Sequence, residues 1–198
     1  MSAPAGLEAA LDALAAGLVV GIPTDTVYGL AVVASVPGSA DALFALKGRP
    51  GTAEIPVLVA DLAQADTFAS ITGPARRLAE RCWPGPLTIV VARRRGVGWA
   101  LGGDGRSIGV RCPGLALTRS LCAAAGPLAV TSANLHGEPP LTTADAVRDA
   151  FGPGLAAVVD GGTCGGEPST VVDATAEPAR CLRPGGLPWD EVEAALAP

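Results

Sequence analysis

Apolar residues recur along this chain with two spacings. Leu7, Leu11, Leu14 and Leu18 repeat at the period of one helix face, so residues 5–16 are predicted to form an amphipathic helix ended by Gly17. The run Leu18–Ile22 is short, apolar and closed by Pro23, which reads as a buried strand. Residues 39–47 are predicted as a helix with Ser39 as N-cap, with Leu43, Phe44 and Leu46 at its apolar positions and Gly48 as its stop. Further strands are predicted at Val57–Val59, Leu87–Ala92, Ser107–Arg111, Leu128–Thr131, Ala156–Asp160 and Thr170–Val172, with 87–92 the richest in β-branched residues. Helices are predicted over Asp61–Ala69, Pro74–Cys82, 115–124, Thr142–Phe151 (capped by Thr142 or Thr143) and 189–196.

Strands and helices alternate throughout, which predicts an α/β sheet with helices packed on it. Gly and Pro are spread evenly, with no repeat and no linker, so one domain over 1–198 is expected. Composition refines this picture. Hydrophobic content of 49% against 17% charged is globular, and with aromatics at 4% the core must be built from Val, Leu, Ile and Ala. No stretch reaches the roughly 18 uncharged apolar residues a membrane span needs. Leu7–Ile22 carries Glu8 and Asp12 without a basic flank, so it is not a signal peptide. The five cysteines (82, 112, 122, 164 and 181) form no C-x-x-C pair, and there is one histidine. A disulfide framework or structural zinc is therefore not expected; reduced thiols in a cytoplasm are.

The net charge of −5 argues against a protein that grips nucleic acid non-specifically. Arg76, Arg77 and Arg81 read as a solvated helix face, and Arg93–Arg95 as a strand end. Among 14 basic residues the only lysine is Lys47. A lysine is a compact point charge on a flexible stem, where arginine is a planar fork, so its survival marks a place where arginine would not serve.

Five polar segments follow predicted strands or helix ends, where α/β sheets bind ligands. Thr24, Asp25, Thr26 and Tyr28 lie within Pro23–Gly29. Lys47 and Arg49 flank Gly48. Arg111 ends a strand that begins at Ser107 and precedes Pro113. Ser132, Asn134 and His136 follow a buried strand. Ser169 and Thr170 follow a glycine-rich stretch at 161–166, with Arg183 close behind. Each segment alone is also compatible with a capped turn, a helix end or a surface ion pair. Together, Lys47, Arg49, Arg111 and Arg183, with several hydroxyls, suit a ligand of several negative charges such as a nucleotide.

In order, these segments read Pro23–Leu30, Lys47–Pro50, Trp83–Thr88, Val110–Pro113, Ser132–Gly137, Ser169–Asp173 and Leu182–Gly185. This series resembles the threonylcarbamoyl-AMP synthase family, the YrdC-like proteins, over nearly the whole chain. The resemblance implies a twisted open mixed sheet with flanking helices around a concave basic cavity. It implies condensation of L-threonine, bicarbonate or carbon dioxide and ATP, with Mg²⁺ on the triphosphate, into threonylcarbamoyl-AMP and pyrophosphate. A separate transferase complex would then pass the group to tRNA, so direct tRNA binding is not expected. Carried over, Lys47 and Arg49 would act on the phosphates, and Ser107, Ser132, Asn134 and Arg183 would bind ATP. Arg111 would clamp the threonine carboxylate, with Thr24, Thr26, Tyr28 and Ser169 around the amino acid.

Three departures stand out. Ile55–Ala60 lacks the Asn and His that many members carry after K-x-R-P. His136 replaces a serine, and Pro140-Leu141 stands where a serine and proline are common. The extra C-terminal domain of longer members is not in the sequence, so a minimal form is expected. Two other readings remain: carbamoyl transfer to another acceptor, and an RNA-binding or ribosome-assembly factor, which the acidic charge disfavours.

Overall fold

The computed structural model describes residues 5–48, 54–135 and 137–197. In chain order the elements are α1 (Leu7–Ala15), β1 (Val20–Ile22), β2 (Gly29–Val33), α2 (Ser39–Lys47), β3 (Val57–Leu58) and α3 (Leu62–Ala65). Then come α4 (Gly73–Cys82), β4 (Leu87–Ala92), β5 (Ser107–Arg111), α5 (Ala116–Ala125), β6 (Leu128–Ser132) and α6 (Ala144–Phe151). The chain closes with β7 (Ala157–Val158), β8 (Thr170–Asp173), β9 (Arg180–Arg183) and α7 (Trp189–Leu196).

All nine described strands join one mixed sheet in the order β7-β1-β2-β6-β3-β5-β4-β8-β9. β3 runs parallel to β5 and antiparallel to β6, while β4 is antiparallel to β5 and parallel to β8. Alternation along each strand sorts side chains onto two faces. On one face Leu30, Val32, Val57, Ile89, Val110, Ala129 and Val172 merge with Leu43 of α2, Leu78 of α4, Val147 of α6 and Val192 of α7. On the other, Val20, Ile22, Ala31, Val33, Leu58, Leu128 and Val130 pack under Ala10, Ala13 and Leu14 of α1 and Leu121 and Cys122 of α5. That second layer covers only the β1–β2–β6–β3 side. Over β5, β4 and β8 the same face is left without a helix, and there polar or small residues, Ser107, Gly109, Arg111, Thr88 and Asp173, are mixed with Val90 and Val171.

The predicted elements are present with four corrections. β2 and β9 were not predicted. Ser39 is not an N-cap: Gly38 holds that place, and the Ser39 hydroxyl donates back to the carbonyls of Val33 and Val36. The Asp61–Ala69 helix is only one turn, Leu62–Ala65, with Asp61 accepting from the Gln64 amide. Nor are Arg77 and Arg81 merely a solvated face. Arg77 donates to Leu196 O, and Arg81 to the carbonyls of Ala194, Ala195 and Ala197, filling the acceptors that the end of α7 leaves open. Thr143 rather than Thr142 caps α6, and Gly48 (φ 57°) ends α2 in the left-handed conformation. All five cysteines are unpaired thiols, and no described helix is long and apolar enough to cross a membrane.

Ile89 is fully buried at the centre of the sheet, paired with Val110 on one side and Val172 on the other. Ile89→Ala is expected to lower stability by about 2–5 kcal/mol, read in urea unfolding as a lower midpoint at unchanged slope.

Candidate active site

The uncovered half of the sheet face is the floor of a cavity of about 360 Å³. Its walls bring together Thr24, Thr26, Tyr28, Arg111, Ser132, Ser169 and Arg183, seven of the residues singled out from sequence. Lys47 and Asn134 join through Ser132. Ser107 lies one basin further along, in an adjoining groove. Arg49, Pro50 and His136 lie outside the described residues.

Arg111 anchors the site. It is 5% exposed, and a buried guanidinium must be paired. Its Nη2 meets Asp25 Oδ1 at 2.6 Å, Nη1 donates to Thr26 Oγ1 at 2.9 Å and Nε to Gly85 O at 3.0 Å. Of five N–H groups, two remain for a ligand. Burial lowers the Arg111 pKa and Asp25 opposes that shift; an arginine stays charged all the same.

Thr24 and Thr26 form a tight hydroxyl relay. Thr24 Oγ1 donates to Val27 O at 2.7 Å and accepts from the amides of Thr26 and Val27. The two hydroxyls meet at 2.9 Å, and Thr26 Oγ1 accepts from Arg111 Nη1. Tyr28 borders the cavity, but its hydroxyl is not directed at a ligand. It donates to Gly162 O at 3.0 Å and accepts from the Gly161 amide at 3.1 Å, tying the strap at 161–166 to the site. Gly166 N adds a bond to Thr26 O at 2.7 Å. Burial raises the phenol pKa, with the Gly161 bond opposing it.

A second cation faces Arg111. Arg183 Nε and Nη2 both donate to Ser169 O, and Nη2 also reaches Ser169 Oγ at 3.3 Å. Its pKa is lowered by burial and then by the charge of Arg111. Gly185 permits this turn, since a Cβ there would stand 2.3 Å from Pro168 O. Ser169 Oγ lies 2.9 Å from Thr88 Oγ1. Asp25 is the ion-pair partner of Arg111, and Arg183 lies near enough to feel the Arg111 charge.

Lys47 is 5% exposed. Its ammonium donates to Ser132 O at 2.9 Å, to Asn134 Oδ1 at 2.8 Å and to Asn134 O. Ser132 Oγ donates to the same Asn134 Oδ1 at 2.7 Å, while Asn134 Nδ2 holds the carbonyls of Leu135 and Glu138. The lysine thus organises the turn after β6 in this structure.

Sequence reasoning passed over Thr88, Glu54 and the pairing role of Asp25. Thr88 had a signal, a lone hydroxyl inside an otherwise apolar strand. Pro56 and Leu58 give the floor apolar character.

Comparisons with known proteins show the family and the fold. A family model for Sua5/YciO/YrdC, described as "Telomere recombination", matches residues 12–185. The chain is 37% identical over 183 residues to a threonylcarbamoyl-AMP synthase of Pyrococcus abyssi, covering 91% of this chain and 54% of that protein. It thus spans about half the length of that relative. It is 34% identical over 193 residues to a putative threonylcarbamoyl-AMP synthase of Mycobacterium tuberculosis, covering 96% of this chain and 89% of that one. The crystal structure of P. abyssi Sua5 complexed with L-threonine superposes with a TM-score of 0.91 at 35% identity, over 96% of this chain and 57% of the other.

Tyr28→Phe removes both bonds to the strap. It is expected to cost about 1–3 kcal/mol and to speed exchange of the Gly161 amide by tenfold or more, read by hydrogen–deuterium exchange. Unchanged exchange at 161–162 would refute the tether. Asp25→Ala leaves Arg111 buried and unpaired, and is expected to cost about 3–5 kcal/mol in urea unfolding.

Proposed function

Since this chain belongs to the Sua5/YciO/YrdC family, we propose that it is a nucleotidyltransferase that condenses L-threonine, bicarbonate or carbon dioxide and MgATP into threonylcarbamoyl-AMP and pyrophosphate. The observation that carries this reading is a pair of guanidiniums lining one cavity, Arg111 buried and Arg183 on the exposed edge strand, beside the Lys47–Ser132–Asn134 cluster.

The chemistry follows from the parts. The two free N–H groups of Arg111 take the threonine carboxylate, and Thr26 and Ser169 line its side chain. The threonine amine adds to carbon dioxide, loses a proton and becomes a carbamate. A carbamate decomposes readily in water, and the cavity keeps water off it. A carbamate oxygen then attacks the α-phosphorus of ATP. The bond from that phosphorus to the bridging oxygen breaks, and pyrophosphate leaves with its Mg²⁺. The Mg²⁺ would come bound to the triphosphate, where a hard cation prefers phosphate oxygens and water. Arg183 faces the anion that forms, and Lys47 and Arg49 serve the triphosphate. Positioning and charge neutralisation supply most of the acceleration.

In this reading Lys47 exchanges its carbonyl partners for phosphate oxygens. An anionic oxygen is the stronger acceptor for an ammonium, so the exchange runs downhill when nucleotide arrives. The product passes to a tRNA threonylcarbamoyl transferase in the cytoplasm, and this chain has no need to hold tRNA itself.

Pyrophosphate release is expected only when ATP, L-threonine and bicarbonate are all present. Release without threonine, or none under any combination, would overturn the assignment. Lys47→Ala is expected to reduce release by at least a hundredfold; because the lysine is buried and holds the turn after β6, nucleotide titration and a melting curve of the same variant separate a lost phosphate contact from a lost fold. Normal turnover by that variant would remove Lys47 from the phosphate role.

A further inference from the structure

The cavity floor is a grid whose rows can be read from strand register. Val57 pairs with Val110 and Leu58 with Arg111, and extending that parallel register backward sets Glu54 beside Ser107. Glu54 and Arg111 therefore mark opposite ends of the floor. Four residues separate Ser107 from Arg111, about 13 Å at roughly 3.3 Å per residue. Between the ends lie Pro56, Gly109 and Val90, an apolar patch without a projecting polar group. Gly109 keeps it flat, for a Cβ there would meet Pro56 at 3.2 Å and Thr88 at 3.4 Å. One end is cationic, the middle is apolar and the far end carries a carboxylate.

Glu54 borders both the cavity and the adjoining groove that contains Ser107. The Ser107 hydroxyl and the Gly109 amide lie close enough to favour the charged form of Glu54. Its Oε1, however, is out of solvent and has no donor. An orphaned carboxylate oxygen is costly to keep. Rotation about the terminal carboxyl torsion is soft and would turn that oxygen to the groove. Arg93 attracts Glu54 without an ion-pair contact, and its own Nε and Nη2 also lack acceptors.

Building on the synthase reading, we infer that Glu54 is a specificity-determining residue that accepts hydrogen bonds from the ribose hydroxyls of the nucleotide. With threonine's carboxylate on Arg111, its amine lies within a few bonds of that end and cannot reach Glu54. An acyl adenylate extended from carboxylate to ribose has the length of the floor, and its sugar face suits the Pro56–Gly109–Val90 patch. Burial raises the Glu54 pKa, with Arg93 opposing it. A carboxyl so desolvated is better matched to neutral hydroxyl donors than to a hydrated Mg²⁺, which keeps its waters and ideal octahedral geometry.

The test is calorimetric titration of ATP, 2′-deoxyATP and 3′-deoxyATP into the full chain, its Glu54→Gln and Glu54→Ala variants, together with pyrophosphate release. The parent is expected to bind at least one deoxy analogue about tenfold or more weakly than ATP. Glu54→Ala is expected to weaken ATP to that level with no further loss for the analogue, and Glu54→Gln to keep the fold while narrowing the gap. The KM for L-threonine is expected to stay unchanged. Equal binding of all three nucleotides by the parent overturns the inference. So does a lower melting temperature of both variants with unaltered nucleotide binding, which would make Glu54 a structural partner of Arg93. Discrimination among nucleotides without threonine-dependent pyrophosphate release would sink the synthase reading and leave the Glu54 role standing. No nucleotide binding at all would overturn both.

Discussion

The buried charge of Arg111 is the constraint around which the rest of the site is arranged. A guanidinium on the face of a central strand cannot lie under an apolar helix without a large desolvation cost. Two separate segments meet that demand: Asp25 and Thr26 from the β1–β2 connection, and the Gly85 carbonyl from the turn before β4. Such a pair contributes little net stability over an apolar replacement, yet breaking it is expensive. What it secures is geometry. The second-face helices α1 and α5 stop short of β5, and the exposed half of the sheet becomes a cavity floor with a fixed positive end. Arg183, steered onto Ser169 from the edge of the sheet, adds a second cation that Asp25 alone does not neutralise.

That floor is set in advance of any ligand. The Thr24 hydroxyl is committed to Val27 O, Tyr28 is locked onto the strap, and Ser169 is held by Thr88 and Arg183. Hydroxyls fixed in this way present lone pairs in known directions and lose little entropy on binding. Preorganised donors and acceptors are the main resource for a reaction whose chemistry is charge migration on phosphorus.

Much of this architecture was legible in the sequence because it is local. The Leu7–Leu18 spacing, the β-branched run at 87–92 and the glycine stop at Gly48 each encode their element within a few residues. What was not legible depends on partners far along the chain. β2 follows the Pro23–Gly29 motif without a break, so its apolar run merged with the loop. β9, Arg180–Arg183, is exposed at all four positions and has no alternation to read. Arg77 and Arg81 look like a solvated face until α7 arrives more than a hundred residues later. Among site residues the clustering of Arg111, Thr26, Ser169 and Arg183 followed from their motifs, whereas Glu54 became visible only once register placed it opposite Ser107.

The single lysine shows why residue type and place go together. Ser132 O, Asn134 O and Asn134 Oδ1 converge on one ammonium from a single turn. Three acceptors spread around a point match the diverging N–H bonds of an ammonium. A planar guanidinium directs its N–H groups outward in one plane and cannot satisfy all three. The same tetrahedral centre can release those carbonyls one at a time and take phosphate oxygens in their place. Arginine, rigid and bidentate, suits the fixed pairing at Arg111; lysine suits a contact that must change partners. The two cations are therefore held differently: Arg111 by a carboxylate, a hydroxyl and a carbonyl spread along its plane, and Lys47 by three oxygens gathered around one point.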